Sequence, residues 1–430
     1  METTNVKDNS SNVFFVNLTT KSVTPTVDSR LNKKKDYVFF GKDNLFPDYL
    51  IDLADNSSIH RALLDTKAKF IAGSGFEFTG DDSQVSQAER FYQGVDKDFL
   101  VKTATDLSYF NGFYWQSLFE RGGNVANLKN VDFSYIRSGK MNENGDVDKF
   151  YFSPDWAFAT KKTTFKEVDK IYEPKPIASW MSPDRRLVLE RGELLCGKFY
   201  SPGKLFYAEP SYLGALNYIE ISNQIAEFHK NNLDNGMVGS MHIHLFEDLS
   251  DSEKRKKIEK AINDKFSGSE NAGKVVVTWS TNPDVKTVVD SIPVNDSHEM
   301  FTLLNNKVSE EIVIAHRTPL ALAGLKMATG LQSDDTLAKN SMEYYQNTVI
   351  KPLQDLISDN LQKVLERNGI SVEVNIKPLK PIDLFASENI ITRTMTVNEV
   401  RTQILGLEEL EEGGNMLVIE NGSNQEIIIE

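Results

Sequence analysis

Cysteine is almost absent from this chain, since Cys196 is the only one among 430 residues. A single thiol excludes an intramolecular disulfide and a metal site made of several thiolates. Cys196 lies in the apolar, strand-like segment LERGELLCGKFY. The sequence therefore favours a small buried hydrophobic residue at this position over a reactive thiol.

Long apolar runs are absent as well. No segment approaches the roughly 20 apolar residues that cross a bilayer, and the polar start METTNVKDNSSN lacks the charged-then-apolar pattern of a secretory signal. These absences predict a cytoplasmic protein without a membrane partner. The composition is 40% hydrophobic and 26% charged, which is typical of a globular protein, and the length allows about two to four structural units.

Basic residues are fewer than acidic ones. The chain has 48 Lys and Arg residues and 62 Asp and Glu residues, which gives a formal net charge of −14. This balance argues against a protein that grips nucleic acid with a broad basic surface. It is compatible with a protein past which nucleic acid has to slide.

The first half of the chain predicts an extended N-terminal arm over residues 1–44 and an α+β unit over 45–208. Apolar residues at helical spacing predict a helical pair that ends in a turn at Gly73 and Gly75, and then further helix over 86–121. Short strands are predicted in the segments VDFSYIRSG, DKFYFSP, IYEPKPIASW and ELLCGKFYSP.

Two long helical patterns then flank an inserted segment. The first begins at Pro210 and stops at Gly236, and the second is capped by Asp296 and Glu299 and ends at Pro319. Between them the order is strand (MHIHLF), charged helix (SDSEKRKKIEKAINDKFSG), strand (GKVVVTWS) and strand (DVKTVVDSIP). The simplest arrangement is an antiparallel stalk that carries a small α/β head.

The segment IAHRTPLALAGLKMATGLQSDDTLAKN follows the second helix and contains a loop that is longer than the 2 to 8 or so residues of an ordinary helix connection. Ser333, Asp334 and Asp335 cap the next helix, which runs to Asn368 and should kink at Pro352. A strand in SVEVNIKPL, a short helix in TVNEVRTQILGL and the acidic LEELEEGGN close the chain.

Residues suited to chemistry are few. His242 and His244 are the only pair with metal-ligand spacing, so a metal-dependent hydrolase is one alternative and a solvated or inter-subunit strand face is the other. The glycines of GSGF (73–76) are interpreted as a helix-terminating turn and not as a phosphate loop. No catalytic triad, thiol and histidine pair, paired carboxylates or cofactor motif is recognisable, which favours a structural protein over an enzyme.

A basic run lies on the helix of the inserted head. It is either a solvated helix face or a contact for an acidic partner or for phosphates. Its members are Lys254, Arg255, Lys256, Lys257 and Lys260.

Taken together and in this order, several segments resemble the portal proteins of tailed bacteriophages, over roughly residues 40–412. The segments that carry the resemblance are DNLFPDYLIDLADNSSIHRALLDTKAKFIAGSGF, FYAEPSYLGALNYIEISNQIAEFHKNNLDNG, NAGKVVVTW, EEIVIAHRTPLALAGL, VIKPLQDLISDNLQKVL and TVNEVRTQILGLEELEEGGN. Another minor head or adaptor protein is the alternative within the same particle.

The resemblance implies a portal-type α+β fold with named regions. These are an arm (1–44), a wing (45–208), stem helix 1 (209–237), a clip (238–294), stem helix 2 (295–318), a tunnel loop (319–335), a long wing helix (336–369), and a wing strand with a short crown-like segment (370–430).

The same resemblance implies a ring, typically a dodecamer, at one capsid vertex of the virion, assembled in the host cytoplasm. Double-stranded DNA would pass through it without sequence specificity during packaging and ejection. The implied protein partners are the terminase large subunit, the major capsid protein and the head-tail adaptor or tail proteins. No cofactor is implied.

Site residues follow from this resemblance. The tunnel loop would face DNA, and Lys326 is the residue whose charge could hold it. Glu310 and Glu311 would line the channel or, alternatively, lie on an outward solvated face, and the basic run would serve docking of the clip. The tunnel-loop residues are Lys326, Met327, Thr329, Leu331, Gln332 and Ser333.

Overall fold

Helices precede, interrupt and follow a central sheet. The computed structural model describes residues 35–234, 241–246, 275–280, 288–291, 297–319, 335–379, 396–402 and 410. Up to residue 198 the elements are α1 (Phe46–Asn56), α2 (Ser58–Ala72), β1 (Phe76–Thr79), α3 (Asp82–Gln93), α4 (Phe99–Phe110), β2 (Gly112–Phe119), β3 (Val125–Val131), β4 (Ile136–Ser138), β5 (Lys149–Phe152), α5 (Trp156–Lys161), β6 (Lys175–Ser179), α6 (Arg185–Arg191) and β7 (Glu193–Lys198).

The later elements are α7 (Leu216–Asp234), β8 (Met241–Phe246), β9 (Val275–Ser280), β10 (Val288–Ser291), α8 (Ser297–Ala315), α9 (Asp335–Tyr345), α10 (Lys351–Arg367), β11 (Glu373–Ile376) and α11 (Val397–Val400). Residues 1–377 form one compact unit and residues 378–430 form a second. The mixture of helices and sheets confirms the predicted α+β class.

The main sheet has six strands in the order β3-β2-β7-β6-β5-β4, all antiparallel except the parallel pair β6 and β7. Tyr114 and Leu194 belong to one hydrophobic cluster, whereas Trp115 and Leu195 belong to another. Successive side chains of a strand point to opposite faces of the sheet. The two clusters therefore cover opposite faces, and the sheet is buried on both. It separates two cores.

Strand β2 shows that the prediction of helix over 86–121 is wrong at its end. The helices α3 and α4 confirm the earlier part, but Asn111 ends α4 in the left-handed conformation, with φ of 59°. The following GFYWQSLF pairs with β3 and β7. Its apolar residues do not alternate because both faces are covered, and periodicity cannot distinguish such a run from a buried helix.

The short helices α5 and α6 have no counterpart among the predicted elements. Each begins after an aspartate that accepts a backbone hydrogen bond, from Phe158 N to Asp155 Oδ1 at 2.8 Å and from Leu187 N to Asp184 Oδ1 at 3.2 Å. These aspartates satisfy amide groups that a helix start leaves unpaired.

A fully buried arginine ties the start of the described chain to the sheet. Arg137 Nε donates to Asn44 Oδ1 and its Nη2 donates to Asn44 O, both at 2.7 Å, while Nη1 donates to Ser134 O and Ile136 O. The guanidinium also lies 4.9 Å from the centre of the Trp156 ring. All of these hydrogen bonds from Arg137 therefore go to neutral oxygens. The nearby carboxylate of Asp48 has its Oδ2 3.9 Å from Arg137 Nη2.

This anchoring corrects the boundary of the N-terminal arm. Tyr37, Val38 and Phe40 are buried, and Val38 N donates to Ser138 O at 2.8 Å. The aromatic ring of Phe40 stacks on Tyr207 with ring centres 4.0 Å apart. Residues 37–44 thus belong to the packed core and not to an arm, and residues 1–34 lie outside the described chain.

The two stalk helices have equal length, because α7 and α8 each contain 19 residues, or about 28 Å at a rise of about 1.5 Å per residue. Ile219 near the start of α7 shares a cluster with Val308 and Ile312 near the end of α8. The start of one helix thus packs against the end of the other, which confirms the antiparallel pair.

The predicted bounds of both stalk helices need correction. The first begins at Leu216, after a 3₁₀ turn over Leu213–Ala215, and not at Pro210. Tyr212, just before it, is fully buried and donates from its hydroxyl to Tyr109 O at 2.7 Å, which holds this segment in the core. The second helix ends at Ala315, four residues before Pro319.

The predicted head contains a three-stranded sheet in the order β10-β8-β9, in which β8 is antiparallel to β10 and parallel to β9. These strands confirm the three strand predictions in the inserted segment. The predicted charged helix between β8 and β9 lies outside the described residues.

The long helix is interrupted near the predicted position. A π-helical turn occupies Gln346–Ile350 between α9 and α10, and Pro352 follows it. Proline lacks the N–H that would bond four residues back and its ring crowds that carbonyl, so a widened turn accommodates it.

The turn at Gly73 joins two distant parts of the chain. The glycine ends α2 with φ of 55°, and a Cβ there would lie 2.1 Å from Lys377 O. Strand β1 then pairs antiparallel with β11. This confirms the predicted helix-terminating turn and the strand in SVEVNIKPL.

In the second unit, α11 begins with a complete capping box. Thr396 accepts from Glu399 N, and the Glu399 carboxylate accepts from Thr396 N at 2.8 Å. This confirms the short helix predicted in TVNEVRTQILGL.

Loss of the buried guanidinium should destabilise the protein strongly. We expect Arg137→Ala to lower the free energy of unfolding by about 3 to 5 kcal/mol, because it leaves several buried oxygens without donors. Urea denaturation followed by circular dichroism measures the change. The control is Arg186→Ala on the surface, where the side chain is 89% exposed and the change should stay within about 0.5 kcal/mol. Equal losses in the two variants would contradict the assigned role.

Candidate functional site

Most of the predicted site residues lie outside the described chain. The tunnel-loop residues Lys326, Met327, Thr329, Leu331, Gln332 and Ser333 fall within 320–334, and the basic run Lys254 to Lys260 falls within 247–274. The structure does describe the end of the helix before the predicted tunnel loop and the helix that follows it. We call this region, residues 312–319 with the parts of α2, α9 and the π-helical turn that border it, the loop foot.

The end of α8 is a Schellman cap with an unusual residue. Thr318 N donates to Val313 O at 3.3 Å and Arg317 N donates to Ile314 O at 2.9 Å, which is the hydrogen-bond pattern of that motif. The motif requires a left-handed residue, and Arg317 has φ of 55°. Glycine is the usual occupant, since an arginine there costs about 1 kcal/mol.

Two histidines meet behind this cap. His60 on α2 and His316, the last residue before Arg317, are fully buried, and His60 Nδ1 lies 2.8 Å from His316 Nε2. Tyr212 stacks on His316 with ring centres 5.0 Å apart and meets His60 edge-on at 4.6 Å. The pair thereby connects the second stalk helix to α2.

The histidine pair is polar but incompletely satisfied. Within the described chain, His60 Nε2 and His316 Nδ1 have no hydrogen-bond partner. A neutral imidazole carries one N–H, so either tautomer arrangement leaves one of these nitrogens as an unpaired donor. Burial lowers the pKa of His60 to about 4, and burial together with the charges of His60 and Lys67 holds the pKa of His316 well below its ordinary value.

A buried lysine adds positive charge nearby. Lys67 on α2 is 2% exposed, and its Nζ donates to Ser211 Oγ at 3.1 Å. Burial, with a smaller contribution from the charge of Arg317, lowers the pKa of Lys67 to about 8. The loop foot therefore concentrates cationic groups in a chain whose net charge is negative.

Glu310 and Glu311 lie on α8, one to two turns before the cap. Lys307 Nζ lies 2.9 Å from Glu311 Oε1 and 3.9 Å from Glu310 Oε2. The side chains of Glu310 and Glu311 are 51% and 29% exposed. Lys307 partly neutralises both carboxylates, because it precedes them by three and four residues on the same helix face.

The other chemical candidates are only partly described. His242 and His244 lie on β8, the central strand of the head, at backbone positions paired with Asp290 and Val288. No cluster of three or more metal-binding side chains occurs among the described residues. Cys196 is partly buried at the edge of the first core, and burial raises the pKa of its thiol to about 11, which fits the predicted unreactive residue.

The loop foot includes three residues that sequence reasoning misses: His60, Lys67 and His316. A signal for two of them is present, because His60 and Lys67 are seven residues apart and share a helix stripe with the apolar Leu64 and Ile71. Polar residues within an apolar stripe indicate a buried polar contact. The partner, His316, is distant in sequence and gives no such signal.

Acidification should weaken the folded state through this pair. The unfolded chain binds a proton at each histidine near pH 6.5, whereas folded His60 does so only near pH 4. Stability is therefore lost as the pH falls from about 6.5 towards 4, and His60 alone accounts for about 2 kcal/mol between pH 7 and 5. Urea unfolding at a series of pH values measures this slope.

The variant His316→Gln keeps a hydrogen-bonding partner for His60 and removes one titrating group, so its stability should fall less between pH 7 and 5 than that of the wild type. His229→Gln, at an exposed position on α7, is the matched control and should keep the wild-type slope. An unchanged slope in His316→Gln would refute the assignment.

No helix in the described part of the chain is both long and apolar enough to cross a membrane. A search among curated proteins gives no match to this chain.

Solved structures share the fold. The chain is similar to one in the virion of a native gene transfer agent (GTA) particle, with 13% identity, a TM-score of 0.51, and coverage of 89% of this chain and 95% of that one. It is similar to a chain in the neck of an empty GTA particle computed with C6 symmetry, with 13% identity, a TM-score of 0.53 and the same coverage. An HK97 family phage portal protein from Corynebacterium diphtheriae is 10% identical over 76% of this chain and 95% of that one, with a TM-score of 0.46.

At 13% identity, the likenesses to the two GTA chains concern the fold alone. The sequence itself carries the assignment, because the family model described as phage portal protein matches residues 96–404. That match spans more than half of the 430 residues and includes the main sheet, both stalk helices and residues 312–319 of the loop foot, whereas α2 lies before it. The chain belongs to the phage portal protein family.

Proposed function

We propose that this protein forms a portal ring through which double-stranded DNA enters and leaves a phage capsid. The observation that carries the proposal is the pair of 19-residue helices that flank an inserted three-stranded sheet. In a chain of the portal family, this pair serves as the stem and the inserted sheet as the clip. Portal proteins are structural and not enzymatic, and the proposed work is assembly, docking and DNA passage without catalysis.

The regions of the ring follow from the elements. The six-stranded sheet with α1 to α6 forms the wing, to which residues 37–44 also belong. The helices α7 and α8 form the stem, β8 to β10 belong to the clip, and residues 319–335 form the tunnel loop. The helices α9 and α10 form the long wing helix, and residues 370–430 supply a wing strand and a short crown-like segment.

Exposed apolar residues on the stem support assembly of several copies. Leu303, Leu304 and Ile314 on α8 are 70%, 41% and 59% exposed. A stem helix that stood alone in water would leave this surface unburied, whereas a neighbouring stem in a ring would cover it. Lys307 and Glu310 lie on the same helix and can pair across that contact as well as within it.

The charge of the protein supports passage of DNA rather than retention. Each chain carries a formal −14, so a ring of about a dozen copies repels a polyanion wherever acidic side chains line the channel. Attraction is then limited to single cationic residues, repeated by symmetry. Lys326 in the tunnel loop and Arg317 at its foot are the proposed contacts.

The finer assignments are part of the same proposal. The ring is placed at the portal vertex of the virion after assembly in the host cytoplasm, and the GTA virion and neck particles in which the similar chains are found support that location. The proposed partners are the major capsid protein, the terminase large subunit and head-tail adaptor proteins. The basic run Lys254 to Lys260 is the proposed docking surface of the clip.

Ring formation should depend on the apolar surface of the stem. We expect negative-stain images of the purified protein to show rings of about a dozen subunits with a central hole. The variant Leu303→Glu should shift the protein towards smaller species in size-exclusion chromatography with light scattering. Leu189→Glu, at an exposed leucine on α6 of the wing, serves as the control and should leave rings intact. Monomers under all conditions, capsid partners included, would rule out a portal ring.

The tunnel loop should matter for DNA and not for assembly. Deletion of residues 327–332 should leave rings intact but lower the yield of DNA-filled particles in a packaging assay, because the repeated weak contacts with DNA are lost. Lys326→Ala should show the same defect in milder form. An unchanged yield of filled particles for the deletion would refute the role of the loop.

A further inference from the structure

A groove of about 520 Å³ lies beside strand β1, between that strand and α3. Phe76, Glu77 and Phe78 of β1 line it together, although successive side chains of a strand point to opposite faces. A groove that touches both faces of β1 must run along the edge of the strand. The other lining residues are Glu89, Tyr92 and Gln93 of α3, and Lys377 just after β11.

This edge of β1 presents backbone hydrogen-bonding groups. Within the described chain β1 belongs to a two-stranded sheet, so β11 occupies only one of its edges. Lys377 N donates to Gly75 O at 2.9 Å, which shows that the odd-numbered residues along β1 bond to β11. In an antiparallel pair the N–H and C=O groups of Phe76 and Phe78 then point to the other edge. An edge of this kind is a template for a further strand.

The side chains of the groove suit an apolar strand. Tyr92 meets Phe76 edge-on with ring centres 5.0 Å apart, and it meets Phe78 at 6.2 Å. All three rings are only partly buried. Glu89 on the α3 side of the groove is exposed and has no ion pair with any described residue. The groove thus offers apolar rings and free negative charge to an occupant.

The N-terminal segment of the chain contains a stretch that matches this groove. VFFVNL, residues 13–18, consists mainly of β-branched and aromatic residues within a polar surrounding. Its even-numbered residues would share one face of an extended strand. That face is wholly apolar and suits the three rings, since it consists of Phe14, Val16 and Leu18.

Charge favours the same segment. Residues 19–35 carry five basic side chains, beginning with Lys21, and one acidic side chain, Asp28. The whole chain has a net charge of −14, so this excess of positive charge is unusual within it. The exposed Glu77 and Glu89 at the groove complement it.

The adjoining part of the same segment already covers a strand edge. Tyr37 forms an antiparallel bridge with Gly139, just after β4, and Val38 N donates to Ser138 O at 2.8 Å. Strand β4 is the last strand at one side of the main sheet. Pairing with a sheet edge is therefore a property that this segment shows where the structure describes it.

The groove and the start of the described chain lie at opposite sides of the main sheet. Val125 of β3 exchanges two hydrogen bonds with Asn368, at 2.8 and 2.9 Å, which places the chain leading into β11 beside β3. Tyr37 lies instead beside β4, five strand spacings or about 24 Å away. Head-to-tail contacts in a closed ring bring opposite sides of adjacent copies together. Residues 19–34 can span about 50 Å when extended, which is enough to reach the next copy.

We propose that residues 13–18 of one copy add as a third strand to the free edge of β1 in a neighbouring copy. Phe14, Val16 and Leu18 pack on the aromatic rings of the groove, and the backbone bonds to Phe76 and Phe78. The proposal rests on the proposed ring, to which it adds a contact between neighbours outside the stem. It also gives VFFVNL a place in which its apolar side chains are buried.

Cysteine cross-linking tests the contact in the full-length protein. The background is favourable, because Cys196 is the only native cysteine and is partly buried. Residue 77 would form a non-hydrogen-bonded pair with the added strand, with Cα atoms about 4.5 Å apart, a distance that a disulfide can bridge. Glu77→Cys is combined with Asn17→Cys, and separately with Phe15→Cys to allow for the neighbouring register.

After oxidation we expect covalent multimers on a non-reducing denaturing gel, with the disulfide between residue 77 and residue 15 or 17 identified by mass spectrometry. The control pair is Asn17→Cys with Arg186→Cys, at a side chain of α6 that is 89% exposed. Its yield should be about tenfold lower or less, because no strand contact holds the two thiols at the distance of a disulfide.

A matched pair of substitutions tests the face of the added strand. Phe14→Asn, on the side of the rings, should lower the cross-linking yield about tenfold, because burial of one Phe side chain is lost. Phe15→Asn, on the opposite face, should leave the yield of the pair at 17 and 77 unchanged. In proteins without added cysteines, amide hydrogen exchange at Phe76 and Phe78 should become about tenfold faster in Phe14→Asn alone.

The proposal is overturned if neither cysteine pair cross-links above the control, or if Phe14→Asn and Phe15→Asn behave alike. A disulfide confined to single chains would also overturn it, because the segment would then occupy the groove of its own copy. Negative-stain images of the wild type decide separately on the ring. Rings without the inter-chain disulfide would remove this contact and leave the proposed function in place, whereas copies joined by the disulfide without rings would support the contact and remove the ring.

Discussion

Burial of the main sheet on both faces is the constraint from which much of the first unit follows. With one core on each side, the central strands β2 and β7 must be apolar on both faces, and any buried polar group in the sheet must be satisfied by the protein. The packing leaves no room for a side chain at Gly197, because a Cβ there would lie 2.2 Å from the Phe113 ring. The two buried charges of the sheet, Arg137 and Glu193, show how the requirement is met. Arg137 donates to neutral oxygens of the N-terminal segment, and Glu193 pairs with Arg367 at 2.5 Å.

The Glu193 pair connects the sheet to α10. Arg367 is the last residue of α10, and its guanidinium lies over the rings of Phe119 and Trp180, 4.5 Å and 4.7 Å from their centres. Glu193 also accepts from Met181 N at 3.0 Å. Such a pair contributes little net stability compared with an apolar contact, but breaking it is costly, so it fixes where the helix ends. The buried histidine pair likewise joins distant parts of the chain, because it holds the end of α8 against α2.

Much of the fold can be predicted from the sequence where a helix or strand has one exposed face. The stalk helices, the strand in SVEVNIKPL and the turn at Gly73 follow from apolar spacing and glycine. The strand β2 cannot, because burial on both faces removes the alternation that identifies a strand. The segment 37–44 is misread as an arm because its place in the core depends on Arg137, almost a hundred residues later. The loop foot depends on contacts between His60 and His316, 256 residues apart, which no local pattern encodes.

The π-helical turn before Pro352 affects how this chain tolerates insertions and deletions. A π turn holds one residue more than an α turn, and each residue of an α-helix rotates the chain by about 100°. The orientation of α9 about its own axis is therefore set by a residue count within Gln346–Ile350, while α10 stays packed against the sheet and α2. Removal of one residue there would restore a regular helix and turn a different face of α9 towards the end of α8. Insertions and deletions in this short segment are thus a means of changing which side chains of α9 face the end of α8 without altering the core.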